Sequence, residues 1–244
     1  MASARAGTAG WSVPREHAAA FPSEGTHLQR YARTLNAVEI NSSFYRPHRP
    51  GTYERWADST PEGFRFAVKV PREITHQRRL HDAMGPLEEF LSQAGHLGEK
   101  LGPLLVQLPP SLKLDAAAAS AFLAGLRERY AGPVALEPRH PTWFSGEGDQ
   151  LLAEFRVARV AADPAVVPEA AEPGGWPGLA YYRWHGSPRT YYSPYEEADL
   201  QRLASAVNHQ LASGSEVWCI LDNTAAGEAT VNALRLAELL ETAS

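Results

Sequence analysis

The chain has 244 residues, 44% hydrophobic and 21% charged, which supplies a large core and excludes a disordered chain. A formal net charge of −5 gives no global positive field, so tight binding to duplex nucleic acid or anionic lipid is disfavoured and any anion site must be local. A single cysteine excludes a disulfide framework, and no run of about 18 apolar residues offers a membrane span. The first seven residues lack the apolar core of a signal peptide, so a cytoplasmic location is expected.

In chain order, strand character falls at residues 5–10, 37–41, 64–70, 104–108, 134–137, 157–162, 179–185 and 217–222. Helical signals intervene. Asp115 is suited to cap an alanine-rich run to residue 130, and residues 195–211 and 224–240 carry apolar side chains three and four apart. Residues 14–34 and 86–97 are interrupted by Gly or Pro, and 52–56 is about one turn. Strands alternating with helices predict a parallel sheet. Eight such strands in a chain close to the usual length of about 250 residues predict a single α/β domain over residues 1–244, a (β/α)8 TIM-type barrel. Residues 163–178 hold four prolines and three glycines where the sixth helix would begin, which predicts an irregular sixth crossover. Cys219, inside the apolar run 217–221, is expected to be buried and inert.

Successive strand residues alternate faces, which sorts the polar positions. The inward set of residues 179–185 is Leu179, Tyr181, Arg183 and His185, with Tyr182 and Trp184 outward. By the same count Ala37, Glu39 and Asn41 face inward from the second strand, Ala67 and Lys69 from the third, and Ala135, Glu137 and Arg139 from the fifth. Thr8, Gln107 and Asp163 complete the pattern, whereas the facing of Asp222 and Asn223 is undecided. Charged residues late on nearly every strand converge on the face where barrel enzymes keep their active sites. The competing reading is structural: Glu39 or Glu137 paired with Lys69 or Arg183 would satisfy one another without any ligand.

A second cluster, Arg72, His76, Arg78, Arg79 and His81, follows the third strand and, with Arg46, His48 and Arg49, forms a local positive rim suited to phosphate or carboxylate. His140 lies just beyond the fifth strand. Trp11, Phe44, Tyr45 and Trp143 follow strand ends, as the walls of a sugar- or base-stacking pocket would.

The run Val38-Glu39-Ile40-Asn41-Ser42-Ser43-Phe44-Tyr45-Arg46, then Trp56, Phe66-Ala67-Val68-Lys69 and Thr75-His76, resembles the YecE-like family, domain of unknown function 72. Leu101-Gly102-Pro103, Gln107-Leu108-Pro109-Pro110, Leu136-Glu137-Pro138-Arg139-His140 with Trp143, and Tyr182-Arg183-Trp184-His185-Gly186 continue the likeness in order over nearly the whole chain. The resemblance implies a TIM-type barrel and brings no settled reaction, substrate or cofactor with it.

The residues support three functions. The favoured one is a metal-independent acid/base enzyme acting on a small anionic or sugar-like ligand, phosphate-containing ligands included. Glu39, Lys69, Glu137, Arg183 and His185 are its catalytic candidates. Thr8, Asn41, Tyr45, Arg72, His76, Gln107, Arg139, His140, Asp163 and Asn223 are its ligand-binding candidates, and no cofactor is called for. A lysine at the barrel mouth could also form a Schiff base if it lacked an ion-pair partner. The second function is a metal-dependent enzyme like sugar isomerases or apurinic endonucleases, with ligands drawn from Glu39, Glu137, His140, Asp163, His185 and Asp222; neighbouring fixed cations argue against it. The third is a non-catalytic barrel binding an anion or nucleic acid through the loop after the third strand. A membrane partner is not expected, and the sequence leaves the oligomeric state open.

Overall fold

The structure, a computed structural model, describes residues 4–241. Its strands are β1 (Arg5–Thr8), β2 (Ala37–Ile40), β3 (Arg65–Lys69), β4 (Leu101–Gln107), β5 (Val134–Glu137), β6 (Val157–Arg159), β7 (Ala161–Asp163), β8 (Gly174–Gly175), β9 (Leu179–Trp184) and β10 (Glu216–Leu221). The helices are α1 (His27–Ala32), α2 (Pro50–Asp58), α3 (Met84–Ala94), α4 (Ala116–Arg129), α5 (Gly146–Glu154), α6 (Glu197–Ala212) and α7 (Glu228–Glu241). Each of the eight strand segments read from the sequence is found, with ends shifted by a few residues, and the sixth is divided at Val160 into β6 and β7.

The strands form two sheets, ordered β1-β10-β9-β7 and β2-β3-β4-β5-β6-β8. All pairings are parallel except the short antiparallel contact of β6 with β8. A parallel bridge between Ala9 and Glu39 links the sheets just past β1, where Gly10 N donates to Glu39 O at 2.9 Å. The two strands run so close there that a Cβ on Gly7 would lie 2.0 Å from Ala37 O, so only glycine fits.

Side-chain alternation divides the core in two. Val38, Ile40, Phe64, Phe66, Val68, Val134, Leu136, Ala180 and Tyr182 join helix residues such as Leu87, Phe90, Phe122 and Leu203 in one cluster. Ala37, Ala67, Leu105, Ala135, Leu179, Tyr181, Trp218 and Ile220 form the other, on the faces turned away from the helices. These are the facings that a period of two assigns from sequence. Burial at this density makes a Leu to Ala change in the helix-facing layer cost about 2–5 kcal/mol.

Asp115 caps α4 by accepting from Ala118 N at 3.0 Å, as its position before the alanine run predicts. Helix α5 has no expectation in the periodicity. It begins at Ser145, whose Oγ accepts from Gly148 N at 3.2 Å. Between β7 and β9 a 3-10 turn (Pro168–Ala171) and β8 stand where a crossover helix would be, in line with the proline and glycine content. Cys219 is fully buried, and burial pushes its thiol up, away from thiolate chemistry. No helix is long and apolar enough to cross a membrane among the described residues.

Candidate functional site

Because alternate residues share a face, the strand ends bring charged side chains to one place. Glu39 comes from β2, Lys69 from β3, Gln107 from β4, Glu137 from β5, and Tyr181 and Arg183 from β9; His185 and Asp222 lie one residue past β9 and β10. Ser43 ties two of these strand ends together, donating to Ile40 O at 3.0 Å and Lys69 O at 2.7 Å.

Arg183 is the hub and is 1% exposed. Its Nε and Nη2 donate to Glu39 at 3.0 and 2.8 Å, Nη2 also meets Asp222 Oδ2 at 3.0 Å, and Nη1 donates to Glu137 Oε2 at 3.3 Å. Tyr181 Oη donates to Glu39 Oε2 at 2.9 Å and Gln107 Nε2 to Glu137 Oε2 at 2.8 Å, and Arg139 Nη2 forms an ion pair with Glu137 Oε1 at 2.7 Å. The His185 ring bridges two carboxylates, with Nε2 2.9 Å from Glu137 Oε1 and Nδ1 2.9 Å from Asp222 Oδ2. Arg139 Nη2 also lies 2.9 Å from Nε2, so that nitrogen can donate to Glu137 or accept from Arg139.

Burial alone would raise the Glu137 carboxyl, but Arg139, Arg183 and His185 hold it well below the usual range. Asp222 is lowered in the same way, against its burial, by Arg183, His185 and Lys69. Glu39 and Glu137 are fully buried, and Glu39 is taken up by Arg183 and Tyr181. The ion-pair reading thus describes both Glu39 and Glu137 with Arg183. It does not describe Lys69.

Lys69 is 5% exposed, yet among the described residues no ion pair or hydrogen bond engages its ammonium; Nζ lies 4.1 Å from the centroid of the Phe44 ring. Burial and the nearby Arg183 lower its pKa to about 8, opposed by Glu39, Glu137 and Asp222. Lys69 lines a cleft of about 590 Å³ together with Asn41, Phe44, Tyr45, Arg72, His76, Gln107, Tyr191, Tyr192 and Asp222. His76 is lowered too, by burial and then by Lys69, Arg72, Arg139 and Arg79. Asn41 Oδ1 and Arg139 Nε are buried without a hydrogen-bond partner. Among the described residues no group of three or more His, Cys, Asp and Glu side chains is disposed to hold a metal ion, the central carboxylates being turned to guanidinium and imidazole instead.

The family model described as "Protein of unknown function DUF72" matches residues 5–244. This chain belongs to the DUF72 family. Among DUF72 relatives, UPF0759 protein YecE of Escherichia coli K12 is 35% identical over 129 residues, and the matched stretch spans about half of either protein, 52% of this chain and 47% of YecE. UPF0759 protein YunF of Bacillus subtilis 168 is 24% identical over an alignment covering 96% of this chain and 94% of YunF. A DUF72 structure from Thermotoga maritima MSB8 superposes with a TM-score of 0.78 at 26% identity, covering 98% of this chain and 99% of that one. Another, from Enterococcus faecalis V583, gives 0.81 at 23% identity over 97% and 95%, a likeness of fold alone.

In this DUF72 chain, Asn41, Tyr45, Lys69, Arg72, His76 and Gln107 border one cleft, with Glu39, Glu137, Arg139, Arg183 and His185 in the network beneath and beside it. The other four candidates lie elsewhere. Thr8 bonds Tyr31 Oη at 2.9 Å and Gly10 O, and His140 Nδ1 caps the turn Pro141–Trp143 through Thr142 N at 3.2 Å. Asp163 accepts from Tyr195 Oη at 2.7 Å beside a separate cleft of about 410 Å³. Asn223 donates to Ser193 O at 3.0 Å and to Asn232 Oδ1 at 2.9 Å, holding down the loop after β9.

The positive rim is narrower than the sequence suggests. Arg78 pairs with Glu73 at 3.0 Å, Arg79 bonds Ser111 at 2.9 Å, and His48 lies 2.8 Å from Ser42 Oγ, so only Arg72 and His76 of that set reach the cleft. Of the four aromatics, Phe44 and Tyr45 line it; Trp143 is buried with Nε1 donating to Leu112 O at 3.0 Å, and Trp11 packs on Trp56. Asp222, Tyr191 and Tyr192 are the cleft residues that strand patterning does not supply. Gly186 allows the turn that carries the tyrosines: its φ is +96°, and a Cβ there would stand 2.9 Å from Ser193 O.

Proposed function

We propose that the two sheets form one single-domain eight-stranded barrel, and that the cleft at the strand ends is the active site of a metal-independent enzyme. The parallel bridge from Ala9 to Glu39 supports the barrel. Its ligand is small and anionic, a phosphorylated or carboxylated sugar-like molecule. One observation carries this reading: Lys69 and Arg72 present cationic groups to a common cleft with no carboxylate partner, while the cations below are consumed by internal pairing. Lys69 and His76 exchange protons with the ligand, Arg72 holds its anionic group, and Tyr45, Tyr191 and Tyr192 wall its apolar face. Glu137, Arg139, Arg183, His185 and Asp222 act through position and charge, fixing the floor of the cleft. Since the network already neutralises its carboxylates, this chemistry does not depend on a metal.

A ligand that binds only the native state raises its thermal midpoint. Phosphate, sulfate, sugar phosphates, hydroxy acids and divalent metals, tested at fixed ionic strength, separate the possibilities. A rise with the anions that shrinks in Arg72→Ala supports the reading. A rise confined to metals and abolished by chelation contradicts it.

A further inference from the structure

We infer that Lys69 is a covalent residue: its amine condenses with the carbonyl of an anionic aldehyde or ketone bound in the cleft to form an imine. The inference deepens the anion-site reading above and rests on it. Three observations support it independently of one another.

The first is placement. The side chain of Lys69 emerges at the end of β3 into the cleft, its backbone fixed by Ser43, with Nζ against the Phe44 ring and no acceptor engaging it. An ammonium whose task was structural would be expected to pair with one of the three carboxylates close by, and Arg183 takes those instead.

The second is residue choice. The chain has twenty arginines and three lysines, Lys69, Lys100 and Lys113. Lys100 donates to Ala57 O, Thr60 O and Thr60 Oγ1, and Lys113 is exposed. A chain that uses arginine for nearly every cation keeps lysine at the one buried site facing the cleft. Lysine can act as a neutral nucleophile and arginine cannot.

The third is the surrounding charge. Burial, then Arg183, lowers the amine's pKa to about 8 against the opposing pull of Glu39, Glu137 and Asp222, so about a tenth of it is unprotonated at pH 7. His76 borders the same cleft and can relay protons.

The step balances without an external reagent. The lone pair of the neutral Nζ adds to the carbonyl carbon, the nitrogen gives up its two protons in turn, and the former carbonyl oxygen takes up two and leaves as water, so that a C=N bond replaces the C=O bond. The imine, once protonated, draws electrons from bonds next to the former carbonyl carbon. The substrate class is therefore a carbonyl compound bearing phosphate or carboxylate, reacting at the neighbouring carbon.

Glyoxylate, pyruvate and pyridoxal 5′-phosphate serve as probes, each incubated with the native protein and cyanoborohydride, which delivers hydride to an imine carbon and leaves a stable secondary amine. Peptide mass spectrometry then compares the three lysines. Lys69 is expected to be labelled on the order of 10-fold faster than Lys113 at pH 7.5, because more of its amine is free. Phosphate should slow that labelling, and Lys69→Arg should abolish it while leaving Lys113 unchanged. If phosphate raises the thermal midpoint but Lys69 is labelled no faster than Lys113 by every probe, the imine is overturned and the anion site survives. If neither labelling nor a phosphate effect occurs, both fall. Selective labelling with phosphate inert supports the imine and removes phosphate from the ligand class.

Discussion

Two charged regions meet at the strand ends, and they are built on opposite terms. In the lower one Arg183 serves three carboxylates, Tyr181 and Gln107 add hydrogen bonds, and His185 spans Glu137 and Asp222, so each cation has an anion within 3.3 Å. In the upper one Lys69 is nearly as buried but has an aromatic ring for company, and Arg72 is exposed without an ion pair. The lower region is internally paired; in the proposed reading the upper one takes its counter-charge from a bound anion. Burial alone does not separate structural from functional charge, whereas pairing does.

The strongest way to break this contrast is Arg183→Met, which leaves Glu39, Glu137 and Asp222 without their shared cation. A loss of about 3–5 kcal/mol in urea unfolding is expected, as for one partner removed from a buried ion pair. A near-neutral result would show the network to be dispensable.

Glu137→Gln should cost less, about 1–3 kcal/mol, because the amide keeps the shape and one acceptor, although it gives up charge-assisted bonds and turns an NH2 donor toward the donors on one side. It should also change the response to acid. Glu137 and Asp222 have folded pKa values below their unfolded ones, so their contribution is fully present above the unfolded carboxyl range of about 4 and disappears as pH falls below it. The thermal midpoint of the native protein should therefore drop steeply below about pH 4, and Glu137→Gln should show a shallower drop; equal slopes would mean Glu137 is not among the groups being titrated.

Arg72→Ala sharpens the contrast from the other side. As an exposed, unpaired residue it should change stability by no more than about 0.5 kcal/mol, while cutting the rise in midpoint produced by phosphate. An undiminished rise would move the anion away from this part of the cleft.

Much of this arrangement was legible in the sequence, because β-strands impose a period of two. Glu39, Lys69, Glu137 and Arg183 are all late on strands and all on the face away from the helices; that Arg183, from the other sheet, reaches Glu39 and Glu137 is set by how the two sheets pack. Beyond strand ends the rule stops. Asp222 is one residue past β10, where periodicity no longer assigns a side, and Tyr191 and Tyr192 reach the cleft through a loop shaped by Gly186 and tied down by Asn223. Asn223, Thr8 and His140 were read as ligand contacts from their position at or just past strand ends. Local hydrogen bonds to Ser193, Tyr31 and Thr142 had prior claim on them. Helix α5 was hidden by Gly146 and Gly148, which weaken helical propensity and leave Ser145 with the acidic Glu147 and Asp149 as its start signals. The burial of Lys69 against Phe44, and the lowering of its pKa that burial causes, come from three-dimensional neighbours that strand periodicity does not name.

The decisive measurement is equilibrium unfolding of Lys69→Met at pH 7 with and without phosphate. An unpaired buried ammonium opposes folding, so its removal is expected to raise stability by about 1–3 kcal/mol and to erase the phosphate effect. A loss of stability comparable to that of Arg183→Met, with the phosphate response retained, would place Lys69 in the structural network and contradict its role at the site.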